Sequence, residues 1–142
     1  MGQNIDTLRA VIAAWRNQDV EGVVRHLHDD ITWNNSGGLR PPLQGKAEMR
    51  KALERMAEGI EESRWRLFDC AEVGDTVWME GVDELIGKDG TRVAIPYAGV
   101  LEFQDGLIKE WREYFQGELL TQMRAGEGVS SDVEAMLDRP EV

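Results

Sequence analysis

The strongest constraint on the fold of this chain is a run of four segments that each alternate polar and apolar residues. They span approximately residues 63–73, 76–86, 92–103 and 107–115, and short turn signals rich in Gly and Asp separate them. Such alternation is typical of a strand with one buried face, and tight turns join antiparallel neighbours. The second half of the chain is therefore predicted to form an antiparallel meander of four long strands.

The first half of the chain shows helical spacing instead. Apolar residues recur every three or four positions over residues 4–17 and 46–60, which predicts two amphipathic helices. Between them, Asp19 can cap a short helix whose apolar positions run to Leu27, and residues 31–33 are typical of a short strand. The predicted fold is α+β: a curved antiparallel sheet covered on one face by three N-terminal helices.

Length and charge restrict the function. A chain of 142 residues fits one domain. It has 16 Lys and Arg against 27 Asp and Glu, a net charge of −11 that repels phosphate backbones and anionic lipid headgroups. We therefore predict no nucleic-acid or membrane partner. With one cysteine and two histidines, we also predict no disulfide and no metal site, and the cytoplasm is the expected location. The function expected for the chain needs no cofactor.

The end of the chain differs from the rest in charge. From Gly126 onward it carries five acidic residues and one arginine. We expect a domain over residues 1–116 and an acidic C-terminal extension over residues 117–142 that is solvated or covers a partner.

The order of elements, together with the sequences at 29–35, 80–83, 97–100 and 106–115, resembles the nuclear transport factor 2-like superfamily. Within it, the chain is most similar to the limonene-1,2-epoxide hydrolase family and to the SnoaL-like polyketide cyclases. The resemblance implies an apolar pocket at the open end of a cone and a homodimer formed through the outer face of the sheet. Trp78 and Val82 are then candidates for the dimer contact.

Two acidic residues stand out because their strand neighbours are apolar. Residues two apart on a strand share a face, so Asp83 lies with valine, methionine and leucine, and Glu113 lies between Trp111 and Phe115. If both faces line one cavity, burial and mutual repulsion can keep one carboxyl group protonated while the other is ionised. Such a pair can act as a general acid and a general base.

The resemblance to the epoxide hydrolase family implies a role for each of these residues. It assigns Glu113 as the base that activates a water, Asp83 as the acid that protonates the epoxide oxygen, and Asn35 as a residue that holds the water. Gly81 stands where that family has an arginine between the two acids, and Trp33 stands where it has a tyrosine. The predicted substrate is a small hydrophobic molecule.

Other readings of the same residues stay open. In a SnoaL-like cyclase or isomerase, Glu113 would remove a proton beside a carbonyl and Tyr97 would donate to the enolate oxygen. The pocket could also bind without catalysis, and the two acids could be paired with a structural cation such as Arg92, Lys109 or Arg112. The residues predicted to contact substrate are Trp33, Met79, Gly81, Tyr97, Trp111 and Phe115.

Overall fold

The computed structural model of the chain describes residues 2–35, 38 and 40–142. Three helices precede the long strands, as predicted, and each buries one side. They are α1 (Gln3–Arg16), α2 (Val20–Val24) and α3 (Lys46–Glu58). The buried side of α1 carries residues spaced three and four apart, which places its last buried residue, Trp15, against the core.

The strands form one curved sheet in which the described residues contribute six members in the order β2-β1-β6-β5-β4-β3. Four of them are the predicted meander, and each neighbouring pair in it is antiparallel. The strands are β1 (Leu27–Asn34), β2 (Leu43–Gln44), β3 (Ile60–Val73), β4 (Thr76–Gly87), β5 (Arg92–Gln104) and β6 (Leu107–Tyr114).

The first strand corrects the predicted end of the second helix. Leu27 is the first residue of β1 and not the end of a helix, because α2 stops at Val24. Leu27 is fully buried, so its apolar character suits either structure and does not distinguish them. In the predominantly antiparallel sheet, β1 pairs with β6 in the parallel direction, whereas the other neighbouring strands of the described sheet pair in the antiparallel direction.

Segments from both ends of the chain cover the two faces of the sheet. The inner face packs against the N-terminal helices in the main hydrophobic core. On the outer face, Val82 is completely buried in a cluster with Phe68, Ala94 and Val133. The prediction that Val82 contributes to a dimer contact is therefore wrong, because the chain's own C-terminal segment covers it. Trp78 remains 52% exposed.

The C-terminal extension follows the sheet closely and does not project into solvent. It contains α4 (Gly117–Gln122), a turn at Met123–Glu127 that is kinked at Gly126, and α5 (Ser131–Met136). The sulfur of Met123 accepts a hydrogen bond from the Ala94 backbone N–H at 3.4 Å, and the Val142 N–H donates to the Leu67 carbonyl at 3.0 Å. None of the helices in the described part of the chain is long and apolar enough to cross a membrane.

Candidate active site

A cavity of about 50 Å³ lies between the helices and the inner face of the sheet, with room for several water molecules. Its wall is mostly apolar, and four of the chain's five tryptophans contribute to it. The polar residues of the wall are Asn35, Asp83 and Glu113, which come from the end of β1, from β4 and from β6. The predicted catalytic residues are thus brought to one cavity although 78 positions separate the first from the last.

The alternation of β4 and β6 explains how the two carboxyl groups reach the cavity. Asp83 and Glu113 each lie on the inward-facing side of their strand, and β5 separates the two strands in the sheet. Each side chain keeps some exposed area because it borders the cavity, while the carboxyl group itself lies well below the protein surface. Both acids therefore share a poorly solvated environment.

This environment disfavours ionisation of both groups. Burial raises the pKa of Asp83 to about 6. Burial and the nearby charge of Asp83 raise the pKa of Glu113 to about 7, although a hydrogen bond from Trp111 Nε1 to Glu113 Oε1, at 2.9 Å, opposes this rise. Near neutral pH the pair consequently retains roughly one proton between its two carboxyl groups.

The cations that could have neutralised the pair are engaged elsewhere. Arg92 binds Glu84, and Arg112 binds Glu102, both on the outer face of the sheet. Lys109 donates to the Asp30 carbonyl at 3.2 Å. Among the described residues no cation contributes to the pKa of either cavity carboxyl, so the reading of Asp83 and Glu113 as structural ion pairs finds no support in these contacts.

Indole rings form most of the apolar wall. Trp65 stacks on Trp111 with a centroid separation of 5.9 Å, and Trp33 meets Trp111 at 6.1 Å with the planes tilted by 55°. Trp33 and Trp111 are predicted substrate contacts, whereas Trp15 and Trp65 escape the sequence prediction. The helical spacing of α1 and the alternation of β3 show that both are buried, but only the packing of these elements reveals that they meet at one cavity.

The remaining predicted substrate contacts lie outside the cavity wall. The Tyr97 hydroxyl donates to the Arg66 carbonyl at 2.9 Å and accepts from Trp65 Nε1 at 2.6 Å. A Cβ at Gly81 would overlap the Arg66 carbonyl oxygen and lie 2.8 Å from the Tyr97 hydroxyl, so this backbone leaves no space for a side chain there. Met79 belongs to the hydrophobic core, and Phe115 packs at its edge.

The curved, open sheet with helices across its inner face defines a nuclear transport factor 2-like fold. A solved structure of a protein of that fold from Burkholderia pseudomallei, with no known function, covers 87% of this chain and 98% of its own, at 20% identity and a TM-score of 0.75. The SnoaL-like domain family matches residues 8–111, and the chain belongs to this family.

Two of the similar proteins are epoxide hydrolases. Epoxide hydrolase EphG of Mycobacterium tuberculosis is 32% identical over 108 residues, which cover 76% of this chain and 70% of EphG. The solved structure of an LEH-like epoxide hydrolase from M. tuberculosis is 27% identical, with a TM-score of 0.76 and coverage of 88% of this chain and 92% of that one.

A third comparison extends the range of chemistry found on this fold. A protein from Shewanella denitrificans, assigned as a SnoaL-like polyketide cyclase, is 17% identical, with a TM-score of 0.76 and coverage of 86% and 96% of the two chains. At this identity the likeness shows the fold alone.

Proposed function

We propose that this chain is a cofactor-independent epoxide hydrolase that acts on a small hydrophobic substrate, with Glu113 as the base and Asp83 as the acid. The observation that supports it most is the pair of carboxyl groups with raised pKa values beside one apolar cavity. The 32% identity to EphG supports the same activity. We further propose that the protein works in the cytoplasm, where the free thiol of Cys70 is stable.

The proposed reaction adds one water across the epoxide. Ionised Glu113 removes a proton from a water held by Asn35 as the water oxygen attacks an epoxide carbon. The carbon–oxygen bond breaks, and protonated Asp83 gives its proton to the departing oxygen. The product is a vicinal diol with no covalent enzyme intermediate, and transfer of the proton from Glu113 back to Asp83 restores the starting state.

The distribution of the proton allows a second assignment of roles. The N–H that Trp111 donates to Glu113 favours an ionised Glu113 and hence the proposed base. The slightly lower pKa of Asp83 favours the exchanged arrangement, in which Asp83 is the base and Glu113 the acid. Both arrangements require the two carboxyl groups to share one proton, and removal of the Trp111 hydrogen bond distinguishes them.

Hydrolysis of cyclohexene oxide and 1-methylcyclohexene oxide tests the proposed activity. We expect Glu113→Gln to lower the rate of diol formation about 10³-fold, because an amide cannot accept the proton. Glu110→Gln is the matched control: it lies on the same strand, binds Arg112 and is absent from the cavity wall. Diol formation by Glu113→Gln at the rate of the control would exclude the mechanism.

The family membership favours a second candidate function. A SnoaL-like cyclase would remove a proton from the carbon next to a carbonyl group. Glu113 could act as the base in that step without help from Asp83. The Tyr97 hydroxyl, predicted as the donor to the enolate, is instead hydrogen bonded to the Arg66 carbonyl. Exchange of the α-protons of cyclohexanone for deuterium, without consumption of epoxides, would support this candidate. Binding of such compounds with neither reaction would indicate a non-catalytic binding domain.

We also propose a homodimer through the part of the outer face that the extension leaves open. Trp78 and Tyr114 are about half exposed on this face, and burial of such aromatic rings favours association. Sedimentation analysis should give twice the chain mass for the wild type and a monomer for Trp78→Glu. A monomeric wild type at all concentrations would contradict the dimer.

A further inference from the structure

The indole N–H groups of the cavity wall have different partners. Trp111 Nε1 donates to Glu113, and Trp65 Nε1 donates to the Tyr97 hydroxyl. Trp33 is only 5% exposed, yet its Nε1 finds no acceptor among the described residues. Buried donors without acceptors are rare because their lost hydration is not replaced. The Trp33 N–H therefore has an unused capacity to bind an oxygen.

A second unsatisfied group belongs to the same wall. Asp83 Oδ1 is buried and likewise lacks a hydrogen-bond partner within the described ranges. Asp83 and Trp33 both line the cavity although they come from β4 and β1. The indole N–H can only donate, and a protonated Asp83 also donates, so the oxygen of a ligand in the cavity is a suitable acceptor for either group.

We propose that the Trp33 N–H donates a hydrogen bond to the oxygen of the bound substrate, which makes Trp33 a determinant of specificity for uncharged cyclic ethers and epoxides with an apolar body. This inference rests on the proposed hydrolase function. A donated hydrogen bond withdraws electron density from the oxygen that accepts it, so it would weaken a nucleophilic water. It favours the departing epoxide oxygen, on which negative charge develops while Asp83 delivers its proton.

Binding of an unreactive pair of probes tests this proposal without any turnover. Tetrahydropyran carries an ether oxygen, and cyclohexane has nearly the same shape without one. In a ¹⁵N-labelled protein the five tryptophans give five indole N–H signals, and the signal missing from Trp33→Phe belongs to Trp33. We expect tetrahydropyran to move the Trp33 proton downfield, and cyclohexane to leave it nearly in place.

The affinities of two Trp33 variants for tetrahydropyran and cyclohexane complete the test. Trp33→Phe should bind tetrahydropyran about fivefold more weakly and cyclohexane unchanged, and Trp33→Tyr should recover part of the loss because its hydroxyl can donate. The proposal is overturned if both probes shift the Trp33 signal equally, if Trp33→Phe weakens both to the same extent, or if neither probe binds. If tetrahydropyran shifts the Trp33 signal but the protein hydrolyses no epoxide, the hydrogen bond from Trp33 is supported and the proposed hydrolase function is rejected.

Discussion

Asp83 and Glu84 are adjacent on β4, yet their surroundings shift their pKa values in opposite directions. Asp83 faces the cavity, and burial without a cation raises its pKa to about 6. Glu84 faces the outer side and is only 1% exposed, but hydrogen bonds from Arg66 and Arg92 hold its pKa below the ordinary value. Burial alone therefore does not decide ionisation; the neighbouring cations do.

The comparison also separates two uses of a buried carboxyl group. Arg92 binds Glu84 and, at 2.6 Å, Glu134 of α5, so the outer acid connects the C-terminal extension to the sheet. The inner pair of Asp83 and Glu113 has no such partner among the described residues. A permanently ionised, paired carboxylate suits a structural tether, whereas a carboxyl group that titrates near neutral pH can exchange protons with a substrate.

The largest expected effect is on turnover, where substitution of adjacent residues should have very different results. Asp83→Asn should lower epoxide hydrolysis about 10³-fold because the amide cannot exchange the required proton. Glu84→Gln, measured at a temperature at which it is folded, should keep kcat within a few-fold of the wild type. Equal losses in the two variants would remove the functional distinction between the faces.

The next effect is on the pH dependence of stability. Both cavity acids have a higher pKa when folded, so between pH 4 and pH 7 the folded chain binds more protons than the unfolded chain. The contribution of the pair to the free energy of unfolding is therefore greatest at low pH, and it falls by about 5 kcal/mol as the pH rises from 4 to 7. Urea unfolding of the wild type against the Asp83→Asn/Glu113→Gln double variant should show this loss only in the wild type; parallel profiles would contradict it.

A smaller effect is expected when the tether on the outer face is weakened. Glu84→Gln should lower the free energy of unfolding by about 2 kcal/mol, because it leaves Arg66 and Arg92 without their buried partner. Glu102→Gln breaks a more exposed ion pair with Arg112 and should cost less than about 1 kcal/mol. Denaturant midpoints of the two variants measure this difference, and similar midpoints would argue against a structural role for Glu84.

The smallest predicted effect distinguishes the two assignments of acid and base. Trp111→Phe removes the N–H that favours ionised Glu113 and should raise the pKa of that group by about half a pH unit. In a bell-shaped profile of kcat/KM, the upper limb follows the higher pKa of the pair, which is that of Glu113 in either assignment. The maximum of the profile should fall about threefold if Glu113 is the base, because the singly protonated pair then has Glu113 ionised less often, and should change little if Glu113 is the acid. Trp15→Phe, which removes an indole of the same wall that has no proposed role in binding or proton transfer, is the control and should change neither the limbs nor the maximum. A profile unchanged by Trp111→Phe would show that Glu113 does not titrate in catalysis.

The sequence predicts the faces of the sheet well because alternation is a local property. It assigns Asp83 and Glu84 to opposite sides of β4 and places Glu113 opposite Arg112, and the structure confirms both. The same rule could have excluded Arg92 as a partner of the cavity acids. Arg92 and Ala94 are two residues apart on β5 and so share a face, and Ala94 lies on the outer face.

Contacts between distant segments could not be predicted in the same way. Val82 meets Val133 across 51 positions, and no local pattern shows that α5 folds back over β4. Trp15 and Trp65 reach the same cavity from a helix and a strand, so only tertiary packing makes them neighbours. The start of β1 at Leu27 escaped prediction because a buried leucine fits a helix and a strand equally well.

The most direct test is a titration of the side-chain carboxyl ¹³C signals of Asp and Glu in the wild type, Asp83→Asn and Glu113→Gln. We expect two carboxyl groups to titrate with pKa values of about 6 and about 7, and the Glu113 pKa to fall when Asp83 is replaced. Titration of both groups at or below their ordinary pKa values of 3.8 and 4.5 would contradict a shared proton in the cavity and the acid–base chemistry proposed for it.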